Sequence, residues 1–151
     1  MLTVAGASSI AIVTAGCLGS DDESDNNDDD PDPDDDDDVD GIEIAAGTEI
    51  VFDGYTEHWE GVEPEAIAGE QNPTLLLEEG GDYTMEWINA DGATHNLEIW
   101  DEGDDIIDDL ATASIGDEGE RDSIEFTAQS EMVTYVCQYH VATQVGDLVV
   151  Q

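Results

Sequence analysis

From Ile42 onward the chain is a succession of short runs in which apolar and polar residues alternate, most of them closed by a glycine or an Asp-Gly pair. A period of two suits half-buried strands, and strands this short with turns between them build a sandwich rather than a sheet with crossover helices. The strand candidates are 42–44, 49–52, 74–77, 83–89, 95–100, 122–127, 132–137 and 145–150, with Ile106-Ile107 as a further edge. Gly47, Gly80-Gly81 and Asp91-Gly92 supply turns between them. The stretch from Asp53 to Pro73 is acidic and poor in branched residues, and predicts only a short helix near Pro64 to Ala68. The expected fold is all-β, a Greek-key sandwich of about eight strands spanning residues 42–151.

The residues ahead of this domain have a different character. Leu2 to Gly16 is small and apolar, too short to span a bilayer comfortably, and leads into Thr14-Ala15-Gly16-Cys17. Residues 1–17 are therefore read as a signal sequence ending in a lipobox, with Cys17 the expected lipid attachment site. Thr14 stands where the lipoprotein pattern favours an aliphatic residue, and no basic residue precedes the apolar run, so the start of the signal is expected upstream. Residues 18–41 are almost wholly Asp, Asn, Ser and Pro, with Pro31 and Pro33 as breakers, and predict a disordered, self-repelling tether. The arrangement describes an extracellular module, tethered to the outer face of the membrane and expected to be monomeric.

Asp and Glu number 41 against a single Lys or Arg, Arg121, for a formal charge of −40. Such a chain repels itself in dilute buffer. At about 1 M salt the screening length shrinks to roughly 3 Å, so the acidity reads as adaptation to brine. A calcium sink fits less well, because no Asp-rich segment has the glycine-punctuated spacing of a calcium loop. Nucleic acid is excluded as a partner, since phosphate binding needs clustered cations.

The chemistry concentrates between the last two predicted strands. Cys137 ends one strand, and His140 and Gln144 lie on the loop that follows. A Cys-x-x-His step at a strand end lets a thiolate and an imidazole reach one point as the loop turns back. One loop cannot complete a coordination sphere, and His95, after the Asp91-Gly92 turn, is the candidate for a second imidazole. One thiolate and two imidazoles with a weak axial group form the ligand set of a mononuclear blue-copper centre. The spacing alone also fits zinc. Cys137 has no evident disulfide partner, because the other cysteine is assigned to lipid. His58 is read as a surface or packing residue, and Trp87 and Trp100 as core.

The His95-Asn96 pair, and the Cys137-x-x-His140 loop that ends in Val145-Gly146 before a final apolar strand, resemble the cupredoxins, most closely the plastocyanin- or halocyanin-like copper proteins of haloarchaea. The resemblance implies one type 1 copper ion on His95, Cys137 and His140. Most members have Met just before the Val-Gly pair, where this chain has Gln144. Plant cupredoxins of the stellacyanin type use a glutamine amide oxygen there, so Gln144 is the expected axial ligand. A harder oxygen ligand favours Cu(II) and predicts a lower reduction potential than Met would give.

The function expected is single-electron transfer between redox protein partners, through His140 and a port of Val141, Ala142 and Val145. A copper carrier or store, and a zinc-binding or metal-free adhesion sandwich, remain as alternatives. Enzymatic roles are not expected. A nitrite-reductase-like activity needs a second, histidine-rich copper site that three histidines cannot supply, and a Cys-His hydrolase lacks a third orienting group.

Overall fold

The computed structural model describes residues 39–151. Residues 1–38, including Cys17 and most of the expected tether, lie outside the described residues. Ten strands form two sheets: β1 (Ile42–Ile44), β2 (Glu49–Tyr55), β3 (His58–Glu63), β4 (Leu75–Leu77), β5 (Asp82–Asn89), β6 (Glu98–Trp100), β7 (Ile106–Ala111), β8 (Arg121–Thr127), β9 (Thr134–Val136) and β10 (Val145–Val150). Among the described residues the single helical element is a 3-10 turn over Glu65–Ile67, where a short helix is expected. One sheet runs β1-β4-β10-β9-β6-β7 and the other β3-β2-β5-β8.

Three differences from the sequence reading have physical causes. The acidic stretch after Asp53 contains a true strand, β3, which pairs antiparallel with β2. Its alternation is hidden because the inward position after Trp59 is Gly61, packed so tightly on the Ile67 carbonyl that no Cβ could fit. The Ile106-Ile107 edge extends to Ala111, although Asp108 and Asp109 sit at positive φ and break its regularity. The strand expected to open at His95 begins instead at Glu98, and His95 is held by an isolated bridge to Ile115.

The core follows from alternation. In β5 the residues Tyr83, Met85, Trp87 and Asn89 point inward while Thr84, Glu86 and Ile88 are half-buried on the other face. Trp87 meets Trp59 edge-on at 6.0 Å, and Phe52 stacks on Tyr135 at 5.0 Å across the two sheets. Burying such large rings supplies much of the non-polar stabilisation available to a domain of this size. Trp87 is core as expected. Trp100, expected as core, is only half-buried, because it lies on the face of β6 opposite the core-facing Ile99; its Nε1–H donates to the Glu98 carboxylate at 2.7 Å.

Topology brings the predicted ligands together. β9 lies between β10 and β6 and is antiparallel to both, so the end of β9 is beside the start of β6. Cys137 comes just after β9, and its N–H donates to the Gln144 carbonyl, carrying the β9–β10 ladder one step further. His95, three residues before β6, therefore arrives at the same end of the sandwich.

Candidate metal centre

His95, Cys137 and His140 converge, their ligand atoms all within 4.8 Å of one another. The Cys137 Sγ is 4.0 Å from His95 Nδ1 and 3.6 Å from His140 Nδ1. With metal bonds of about 2.3 Å to sulfur and 2.0–2.1 Å to imidazole, a trigonal angle separates the donors by about 3.8 Å and a tetrahedral one by about 3.6 Å. The observed pair matches these spans. Cys137 and His95 are fully buried and His140 is half-buried. Cys137 is a free thiol.

The loop is built by its own backbone. The His140 N–H donates to the Cys137 carbonyl, and the N–H groups of Thr143 and Gln144 donate to the His140 carbonyl, so the chain turns tightly around His140. Asn96 fastens this turn to the His95 segment: its Oδ1 accepts the Gln138 N–H at 3.0 Å, and its Nδ2 donates to the buried Glu98 carboxylate at 2.8 Å. The Thr143 hydroxyl donates to the Thr56 carbonyl at 2.7 Å, and Asn72 Nδ2 donates to the Thr143 carbonyl at 2.9 Å. The loop is thus tied to the β2–β3 turn, to the segment after β3 and to the His95 segment.

Gln144 is fully buried, and neither its Oε1 nor its Nε2 has a hydrogen-bond partner. An unsatisfied buried amide is costly, roughly 1–3 kcal/mol per group, and calls for a reason. Its amide packs against the backbone of Gly54, where a Cβ would come 3.2 Å from Nε2 and 3.1–3.2 Å from the rings of Trp59 and Trp87. Trp87 in turn meets the His95 ring edge-on at 6.1 Å. The buried thiol and the two imidazoles compose a donor set that fits copper, and Gln144, whose backbone carbonyl accepts the Cys137 N–H, lies beside them with an amide that no protein group satisfies.

The orientation of His95 is set by a partner that the sequence did not reveal. Its Nε2 is 2.7 Å from Asp91 Oδ1, and an ionised carboxylate can only accept, so Nε2 carries the proton and Nδ1 is free toward the sulfur. Burial opposes ionisation of Asp91, but hydrogen bonds from His95, Ala93 and Thr56 outweigh it and hold the carboxyl well below the usual range. For His95, burial favours the neutral ring, yet the Cys137 sulfur and the Asp91 carboxylate prevail and raise its pKa. Only its position four residues ahead of His95 could have drawn attention to Asp91, and that spacing in a turn is common.

Of the expected port, Val141 and Ala142 are exposed and Val145 is half-buried at the start of β10. Tyr139, which the sequence reading did not single out, is half-exposed beside His140 in the chain and shares a hydroxyl hydrogen bond of 2.9 Å with Ser114. His58 takes the packing role expected of it, stacked on Tyr55 at 5.0 Å with Nε2 3.4 Å from Glu60.

A scan of protein-family models finds no match to this chain, and a search of curated proteins finds no similar sequence. Solved structures do resemble it. The copper protein rusticyanin matches with a TM-score of 0.52 and 17% identity, over 72% of this chain and 82% of its own. Rusticyanin from Thiobacillus ferrooxidans matches with a TM-score of 0.53 and 19% identity, over 75% and 84%. Reduced rusticyanin gives 0.50 and 19%, over 76% and 87%. Rusticyanin is a cupredoxin, and the likeness at this identity is one of fold. Residues 39–151 take the all-β, cupredoxin-like architecture that the sequence implied, with a His-Cys-His cluster at one end.

Proposed function

We propose that this chain is a type 1 copper protein, holding one copper ion on His95, Cys137 and His140 and passing single electrons between redox proteins. The observation that carries the reading is the convergence of one buried thiol and two imidazole Nδ1 atoms drawn from distant parts of the chain. The ion would supply a one-electron couple. The protein's own part is to hold soft sulfur and borderline nitrogen donors at nearly fixed separation, so that little rearrangement accompanies the change of charge. Gln144 would add a fourth donor through Oε1, a role that its lack of any hydrogen-bond partner supports. His140, half-buried and framed by Val141, Ala142 and Val145, is the point where electrons enter and leave. The role is that of a carrier rather than an enzyme.

The halocyanin-like subtype, attachment through lipid at Cys17, and residence in brine at the outer face of a membrane complete the proposal; they rest on the sequence pattern alone. So does the expectation of a monomer.

The test is the visible spectrum of the protein loaded with Cu(II) in molar salt. An intense thiolate-to-copper charge-transfer band that bleaches on reduction and returns on oxidation, without loss of metal, is expected. A colourless protein that keeps Zn²⁺ would sink the redox reading and favour the adhesion sandwich; loss of copper at each cycle would favour a metal carrier. Gln144→Met should raise the reduction potential, and an unchanged or lower value removes Gln144 from the ligand set.

A further inference from the structure

The turn that carries Asp91 and Gly92, the latter at φ +74°, could be explained as a turn and nothing more. Asp91 Oδ1 accepts the Ala93 N–H at 3.0 Å, as an aspartate in such a turn commonly does. The other three bonds to this carboxylate are not needed for a turn. Oδ1 also receives the His95 Nε2–H at 2.7 Å, while Oδ2 receives both the N–H and the hydroxyl of Thr56 at 2.7 and 2.8 Å. Thr56 lies 35 residues upstream, and its own carbonyl accepts the hydroxyl of Thr143, next to Gln144. One carboxylate therefore joins the segment that carries His95 to the β2–β3 turn, and that turn holds the ligand loop.

We infer that Asp91 is a positioning residue for the metal centre, fixing the tautomer and the direction of His95 and placing a negative charge one hydrogen bond behind that ring. The inference rests on the copper reading above and adds a residue that the ligand pattern does not contain. A neutral imidazole has one N–H and one lone pair, and either nitrogen can carry the proton. With an acceptor-only carboxylate on Nε2, the lone pair is confined to Nδ1, 4.0 Å from Sγ on the ligand side. The four donors leave the carboxylate little freedom to rotate, so the ring inherits a fixed direction. A carboxylate behind the ring also raises its basicity, which stabilises the more highly charged oxidation state.

The test uses the full chain with ¹⁵N-labelled histidine, as wild type, Asp91→Ala and Asp91→Asn. Long-range ¹H–¹⁵N spectra of the metal-free proteins read the tautomer of His95, and competition titrations with Cu(II) and Cu(I) in molar salt read affinity. At a pH where the ring is neutral, wild type should show the Nε2–H form alone. Asp91→Ala should mix the tautomers and weaken Cu(II) binding by about 10- to 100-fold. Asp91→Asn keeps an acceptor oxygen but loses the charge, so it should retain the tautomer and lose Cu(II) affinity more than Cu(I) affinity. A tenfold difference between the two ions raises the potential by about 59 mV.

Asp91→Ala with a wild-type tautomer and wild-type affinities would overturn the inference. Should that variant not fold, an unchanged potential in Asp91→Asn overturns it equally. A wild type that binds no copper refutes the proposed function itself, and is seen before any variant is made; failure of the Asp91 inference appears only as variants indistinguishable from a copper-loaded parent.

Discussion

His95 and His140 present the same atom, Nδ1, to the same sulfur, at 4.0 and 3.6 Å, and differ in everything behind the ring. His95 is fully buried, backed by a carboxylate and edged by Trp87. His140 is half-buried on a loop whose next two residues, Val141 and Ala142, face solvent, and among the described residues its ring has no hydrogen-bond partner besides the sulfur. On the copper reading proposed above, the pair would divide two tasks that a single ligand could not combine: one imidazole held for geometry, and the other left open for contact.

The largest effect that would test this division comes from removing each ring in turn. His140→Gly opens a channel to solvent, so added imidazole should enter and restore the thiolate-to-copper band. His95→Gly leaves a space closed off by protein, and the same addition should restore little or nothing. Equal recovery in both variants, followed by visible titration, would break the comparison.

A smaller effect concerns the open side. Val141→Glu places a carboxylate that must lose water when a partner docks over His140, and a cost of about 1.4 kcal/mol in the barrier would slow electron exchange about tenfold. The spectrum should not change, because the ligands are untouched. Stopped-flow exchange at wild-type speed would remove Val141 from the port.

The smallest effect concerns the closed side and acid. Asp91 titrates below its ordinary range in the folded protein, so the native state binds fewer protons there than the unfolded chain. Its contribution to stability is fully present above about pH 4, the unperturbed aspartate range, and fades as pH falls toward the folded value. Denaturation of the metal-free protein should therefore show Asp91→Asn losing less stability than wild type on acidification. The difference is on the order of 1 kcal/mol once screening at the solvent-facing side is allowed for. Parallel acid curves would mean that the carboxylate gains nothing from its four donors.

The same contrast explains what could be read from the sequence. Cys137 and His140 are three residues apart and His95 stands after a turn signal, so their chemistry is written locally and the fold only has to bring two segments together. Gln144 stands out only through the resemblance, by its place before Val145-Gly146. The glycine of that pair has a physical reason of its own, since a Cβ at Gly146 would overlap the ring of Tyr135. Asp91 and Thr56 were not legible as site residues: each satisfies a local turn pattern, and their partnership exists only across 35 residues. β3 was hidden for a related reason, because Gly61 replaces the expected apolar residue where the Ile67 backbone fills the space. What alternation records is burial of side chains; where backbone or a distant polar group does the filling, the pattern falls silent.

The order of strands in the larger sheet carries a consequence for how damage spreads. β1 and β4 are joined to β9, β6 and β7 only through β10. β9 and β6, which lead out to Cys137 and back from His95, pair directly with each other. A lesion in β10 would therefore detach the β1–β4 edge and slacken the return of the loop through Gln144, while the ladder beside His95 and Cys137 keeps its own hydrogen bonds.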